Sequence, residues 1–239
     1  MTEADWLSCP DPGRMLEFVR PWTSDRKRRL FAVGCCRRVW HMLDREESRV
    51  YVEVAEQFAD REVGYEALKE QERLADDSAW ISGFVVISPR YPAWLLSADL
   101  AAAMGVVRDP IDSEGVASAV EEAVAWELAA PRLADKDYSA WRAAVQAARL
   151  NERGKQRDLV RCVFGNPFRP VAVKPTWLTS PVIRLARAIY DERAFDRLPE
   201  LADALREAGC EHAEIQAHCR EHLSHVRGCW VVDSILGKS

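Results

Sequence analysis

The chain has 239 residues, 48% of them apolar, enough for one large hydrophobic core or two small ones. Acidic residues outnumber basic ones, 38 against 33, for a net charge of −5, which argues against a dedicated nucleic-acid binder, a class that is usually basic. No apolar run approaches the roughly 18 residues of a membrane span, and residues 1–7 carry neither a basic n-region nor an apolar h-region, so the expected compartment is the cytoplasm.

Seven cysteines, an odd number, read there as reduced thiols rather than a disulfide framework. Nine tryptophans are many for this length, and buried indoles are expected to anchor helix packing.

Helical spacing dominates. Asp11-Pro12 reads as an N-cap followed by proline at the first helical position, leading into Met15, Leu16 and Phe18. Thr23-Ser24-Asp25 caps a second helix expected to run to about residue 43. Its stretch 30–36 is apolar on nearly every face and belongs in the core. A third helix is predicted over 46–60 and a charged, solvent-facing fourth over 65–79. Residues 80–92 break the pattern: Phe84-Val85-Val86-Ile87 is a β-favouring run closed by prolines, a strand or a buried irregular segment. Helices are then predicted over 93–104, 113–128 and 138–153. Gly154 is expected to interrupt or end the last of these, with a further turn or two over 157–163.

Gly165-Asn166-Pro167-Phe168-Arg169-Pro170 cannot continue a helix. It divides the chain into an N-terminal helical bundle, 1–164, and a C-terminal unit of short paired helices, 165–239. There Ser180-Pro181 caps one helix, Pro199 starts another that Gly209 ends, a third covers about 211–223, and Gly228 precedes a short apolar piece over 229–236. The fold class is all-α, a multi-helix bundle with this C-terminal unit.

Three strings carry a resemblance: Gly165 to Val171 (GNPFRPV), Ala188 to Pro199 (AIYDERAFDRLP) and His225 to Asp233 (HVRGCWVVD). They resemble segments of an uncharacterised, multiply duplicated bacterial protein family, as do Trp6-Leu7, Asp11-Pro12 and Cys35-Cys36-Arg37-Arg38-Val39-Trp40. The resemblance covers both ends of the chain and implies no activity. The chain departs from the family after His218-Cys219-Arg220, where Glu221-His222-Leu223-Ser224 stands in place of a Gly/Pro turn, and this sets His222 apart.

Four of the five histidines and three of the seven cysteines fall in the last thirty residues: Cys210, His212, His218, Cys219, His222, His225 and Cys229. Zinc takes four thiolate or imidazole donors in a tetrahedron, so the candidate metal ligands are Cys210, His218, Cys219, His222, His225 and Cys229. On one continuous helix His218, His222, His225 and Cys229 would share a face, but Gly228 and the resemblance both argue against such a helix. There is no C-x2-C knuckle. The alternative is that the cysteines pack as small apolar residues while His222 and His225 sit at the surface or near a helix end.

Two basic stretches, Arg26-Lys27-Arg28-Arg29 with Arg37-Arg38 and Arg142, Arg149, Arg153, Lys155, Arg157 and Arg161, could each touch phosphates; Asp25, Asp44, Glu46 and Glu47 neighbour the first run, and the leading reading of both is a solvated or intramolecularly paired face. Asp191-Glu192-Arg193 with Asp196-Arg197 reads as a polar connector. The chain has no G-x-x-x-x-G-K-[ST], G-x-G-x-x-G, H-E-x-x-H or G-x-S-x-G. The leading expectation is therefore a non-enzymatic protein-interaction or scaffold module that offers a helical face to a protein partner. It would have no cofactor, no nucleic acid and no membrane contact. The alternative is a zinc-binding regulatory module built on the Cys/His cluster. An enzyme with a site assembled across helices is a third class, and the missing motifs lean away from it.

Overall fold

A computed structural model describes residues 1–43, 45–74, 113–134, 137–221 and 224–238. Its regular elements are all helical, so the chain is an all-α, multi-helix protein. No helix among the described residues is long and apolar enough to cross a membrane. The β-favouring run over 80–92 and the helix predicted over 93–104 lie outside the described residues.

The N-terminal helices start where side chains satisfy the free N–H groups of their first turns. Helix α1 (Glu3–Ser8) opens with a capping box between Thr2 and Asp5 and buries Trp6. Helix α2 (Pro12–Val19) has Asp11 accepting from the N–H groups of Gly13 and Arg14, and turns Met15, Leu16 and Val19 inward. Helix α3 (Asp25–Arg38) is capped by Ser24 and is buried continuously from Arg29 to Cys36. It stops before residue 43, where a single tight turn at Trp40–Met42 replaces the expected last turn. Helix α4 (Glu46–Ala59) follows, and residues 65–74 form α5.

Helix α6 (Ser113–Ala134) runs past Leu128 and carries Pro131 in its last turn. Helix α7 (Tyr138–Phe164), 27 residues long, lies antiparallel to it. The rungs are Arg149 to Glu122 at 2.6 Å, Arg153 to Glu121 at 2.8 Å, and the Gln156 amide donating to the Ala117 carbonyl at 2.9 Å. Gly154 does not interrupt α7, contrary to the expectation. A Cβ there would meet nothing within 4 Å, and the rungs on either side hold the helix through it, so packing overrides glycine's cost of about 1 kcal/mol relative to alanine. At Gly34, α3 comes close to α7: a Cβ would lie 3.1 Å from Leu159 Cδ2 and 3.3 Å from Val226.

The C-terminal helices are α8 (Ser180–Glu192), α9 (Leu198–Glu207), α10 (Ala213–Arg220) and α11 (Trp230–Leu236). Helix α8 starts from Thr179 as its N-cap, one residue before the predicted cap. Helix α10 is shorter than the helix predicted over 211–223, so no helix joins His218 to Cys229. Two large apolar cores result among the described residues, beside a small cluster of Ala125, Ala129, Val145 and Ala148 between α6 and α7. One is built from α1–α4 with α6 and α7, and the other from α8–α11. The end of α7 serves both: Val163 packs in the first and Cys162 in the second.

Buried charge ties the units together. The Asp60 and Asp233 carboxylates, 0% and 2% exposed, are bridged by Arg26, which reaches Asp60 at 3.0 Å and Asp233 at 2.7 Å. Lys27 reaches Asp233 at 2.6 Å, and the Tyr190 hydroxyl donates to Asp60 at 2.6 Å. Glu56, 3% exposed, receives Arg37 from α3 and Arg193 from the end of α8. Arg38 grips Glu152, 1% exposed, at 2.9 Å. The basic run of α3 is thus largely spent on intramolecular pairs.

Candidate metal centre

Four side chains converge where α7, α10 and α11 meet. The donor atoms of Cys162, His218, His225 and Cys229 all lie within 4.8 Å of one another. Each arrives by a different local device. Cys162 sits in the last turn of α7, just before Gly165 ends the helix. His218 lies in the last turn of α10. His225 is on the connection between α10 and α11. Cys229 is the N-cap of α11.

That connection is pinned along its length. Val226 packs against the first core, and Cys229 N–H donates to the Val226 carbonyl at 3.0 Å. Arg227 donates to the Tyr190 carbonyl at 3.2 Å, near the C-terminal end of α8 where helical carbonyls lack partners. Gly228 has φ +92, a conformation that favours glycine. A Cβ there would also stand 3.0 Å from the Leu30 Cβ. The turn that aims Cys229 inward therefore needs glycine on both counts.

The distances suit one tetrahedral ion. Cys162 Sγ and His225 Nδ1 are 3.3 Å apart, as are His218 Nε2 and Cys229 Sγ. Bonds of about 2.3 Å to sulfur and about 2.1 Å to nitrogen place neighbouring donors about 3.6 Å apart around a tetrahedron. The imidazoles of His218 and His225 meet edge to face with centroids 4.8 Å apart, so their rings do not collide. His225 Nε2 lies 3.3 Å from the Glu221 carbonyl. A proton on Nε2 donates to that carbonyl and leaves the Nδ1 lone pair facing the other donors, the outer support that metal-binding histidines have. Trp230 packs on His218 at 5.3 Å between ring centroids.

The site is dry. Cys162 and Cys229 are both fully buried and His218 is 7% exposed. Burial by itself raises the Cys229 thiol, but hydrogen bonding with Cys162 and the imidazoles of His218 and His225 outweigh it and hold Cys229 well below the ordinary thiol range. Burial and the neighbouring Cys229 sulfur push Cys162 well above that range. Burial disfavours a charged His225, yet its contact with Cys229 wins and raises it.

The structure brings together three of the predicted ligands, His218, His225 and Cys229, and adds Cys162. Cys210 and Cys219 are not among them: they are 0% and 1% exposed in the C-terminal apolar core. Cys219 follows His218 directly on α10, and one residue of helix turns a side chain about 100° away, so the two cannot face one ion. His222 lies outside the described residues. His212, as N-cap of α10, stands apart from the cluster. Sequence reasoning missed Cys162 because it belongs to another helix, 63 positions before His225. Its one signal was a cysteine in the last turn before the Gly165-Asn166-Pro167 break, where the C-terminal unit must pack. The chain matches no family model, no curated protein and no solved structure, so the reading of this site rests on its geometry.

Proposed function

We propose that the protein is a zinc-binding module in which Cys162, His218, His225 and Cys229 hold one structural Zn²⁺. The convergence of two thiols and two imidazoles within 4.8 Å in a buried pocket carries this reading. Two sulfur and two nitrogen donors in a tetrahedron suit zinc. Four protein donors complete its coordination and leave no position for a water or substrate, the arrangement of structural rather than catalytic sites. Such an ion clamps the end of α7 to the α10–α11 connection, and through Val226 and Gly228 to α3.

Metal analysis of the untagged, reduced protein tests this. The expected result is close to one zinc per chain, lost in Cys162→Ser and Cys229→Ser and kept in Cys219→Ser. A cobalt-exchanged sample should show the intense visible absorption of a tetrahedral thiolate site. A reduced, folded protein that neither carries zinc nor takes up one equivalent would refute the proposal.

A second reading is a non-enzymatic interaction or scaffold module. Trp22 and Phe168, 66% and 37% exposed, favour it: both rings pack on Phe18, at 4.9 and 5.4 Å between centroids, and join into one apolar surface. Replacing both with lysine should abolish binding to any partner while leaving the fold intact; a partner retained by the double variant would set this reading aside.

A further inference from the structure

The Lys27 side chain leaves the first turn of α3 and is 15% exposed. An ammonium carries three N–H donors, and here three acceptors surround it. They are the Val163 carbonyl at 3.1 Å, the Gly228 carbonyl at 2.7 Å and the Asp233 carboxylate at 2.6 Å. Each acceptor borders one of the two sulfur donors. Val163 directly follows Cys162, and Gly228 directly precedes Cys229. Asp233 lies one helical turn beyond Cys229, and its N–H donates to the Cys229 carbonyl at 2.9 Å. The neighbouring Arg26 also reaches Asp233, but its other partners are Asp60 and the Tyr190 hydroxyl, which do not adjoin a donor.

The two carbonyls need this cation. Val163 stands in the last turn of α7, where carbonyls lack the N–H groups of a following turn. Val163 and Gly228 are both buried, and a buried carbonyl without a partner costs about as much as a lost hydrogen bond. Two such carbonyls aimed at one point repel each other unless a donor stands between them. Lys27 supplies it, and so fixes the spacing of two backbone segments that are far apart in sequence. A cysteine sulfur is one side-chain torsion away from its backbone, so a shift of either segment passes almost undiminished to Sγ. Metal–donor distances tolerate only about 0.2 Å.

We infer that Lys27 is a positioning residue of the metal centre: one ammonium sets the separation of Cys162 and Cys229 by holding the backbone beside each. The inference rests on the zinc reading above and deepens it. It makes α3, which contributes no donor, part of the site's outer support.

Zinc affinity, measured on the full-length, reduced protein by competition against a colorimetric chelator at one fixed pH, tests this, together with the visible spectrum at saturating cobalt. Lys27→Gln and Lys27→Met keep Asp233 paired with Arg26, so both should fold. Each should weaken zinc binding about tenfold and move the cobalt bands, because re-spaced sulfurs change the field at the ion. Lost stability alone would leave the band positions unchanged. Arg26→Lys is the control. It keeps a charge on Asp233 but gives up the fork that bridges both carboxylates, so it should lower the melting midpoint and leave zinc affinity within about twofold. A folded Lys27 variant with wild-type affinity and wild-type cobalt bands would overturn this inference alone. Equal weakening by Arg26→Lys would also overturn it, since the effect would then belong to the charge network as a whole. Wild-type protein that takes up no zinc would overturn the zinc reading and this inference together.

Discussion

If zinc is held as proposed, removing it should cost a calculable amount of stability. A zinc ion on Cys162, His218, His225 and Cys229 is a cross-link that closes a loop of about 63 residues between Cys162 and His225. The chain-entropy relation for such a loop gives close to 14 cal/mol/K, or about 4 kcal/mol at 25 °C. For a chain of 239 residues each kcal/mol moves the midpoint by about 2–4 °C. Chelation should therefore lower Tm by about 8–16 °C. The assay is scanning calorimetry on zinc-loaded and chelator-treated protein, with Cys229→Ser as the genetic equivalent and Cys219→Ser as the control. The control loses some packing in the C-terminal core but must keep the zinc-dependent increment. If one equivalent of zinc is bound and its removal shifts Tm by less than about 2 °C, the ion does not cross-link these elements as described.

Four further outcomes are expected. Asp233→Asn leaves Arg26 and Lys27 facing each other without their carboxylate and should cost about 3–5 kcal/mol in urea unfolding; a loss below about 1 kcal/mol would reduce the network to ordinary surface pairing. Gly228→Ala combines a disfavoured φ of +92 with a clash on Leu30 and should cost about 2–4 kcal/mol while weakening zinc uptake; unchanged zinc affinity would count against the role given to this turn. Zinc affinity should fall as pH falls. Cys162 and His225 both have raised pKa values, so each holds its proton more tightly and the metal must displace both. Competition against a colorimetric chelator between about pH 6 and 8 measures this, and a flat profile would refute it. Cys210→Ala should keep full zinc occupancy, since its thiol lies in the apolar core; metal loss there in a folded protein would reinstate the wider cluster.

Much of the fold was legible because its signals are local. Asp11-Pro12 and Ser24 act as caps where expected, and Gly209, φ +83, ends α9 in the left-handed conformation that glycine permits. What failed was punctuation that depends on neighbours. Gly154 reads as a break, but α6 lies alongside and supplies rungs on both sides. The site divides the same way. His218, His225 and Cys229 stand out as a crowd in sequence. Which cysteine completes them is a tertiary fact, decided by which thiol faces inward from a helix end. Cys219 looks better placed in sequence than Cys162 and loses because it shares a helix turn with His218.

Cys162 and Val163 are neighbours in the chain yet look into different cores. The point at which the protein divides by sequence pattern, after residue 164, is therefore not where it divides by chemistry. A C-terminal unit cut at Gly165 would leave Cys162, one of the four side chains that converge on the candidate metal centre, behind on the other piece. Any such unit moved between proteins, by recombination or by design, has to carry the last turn of α7 as part of its own inventory.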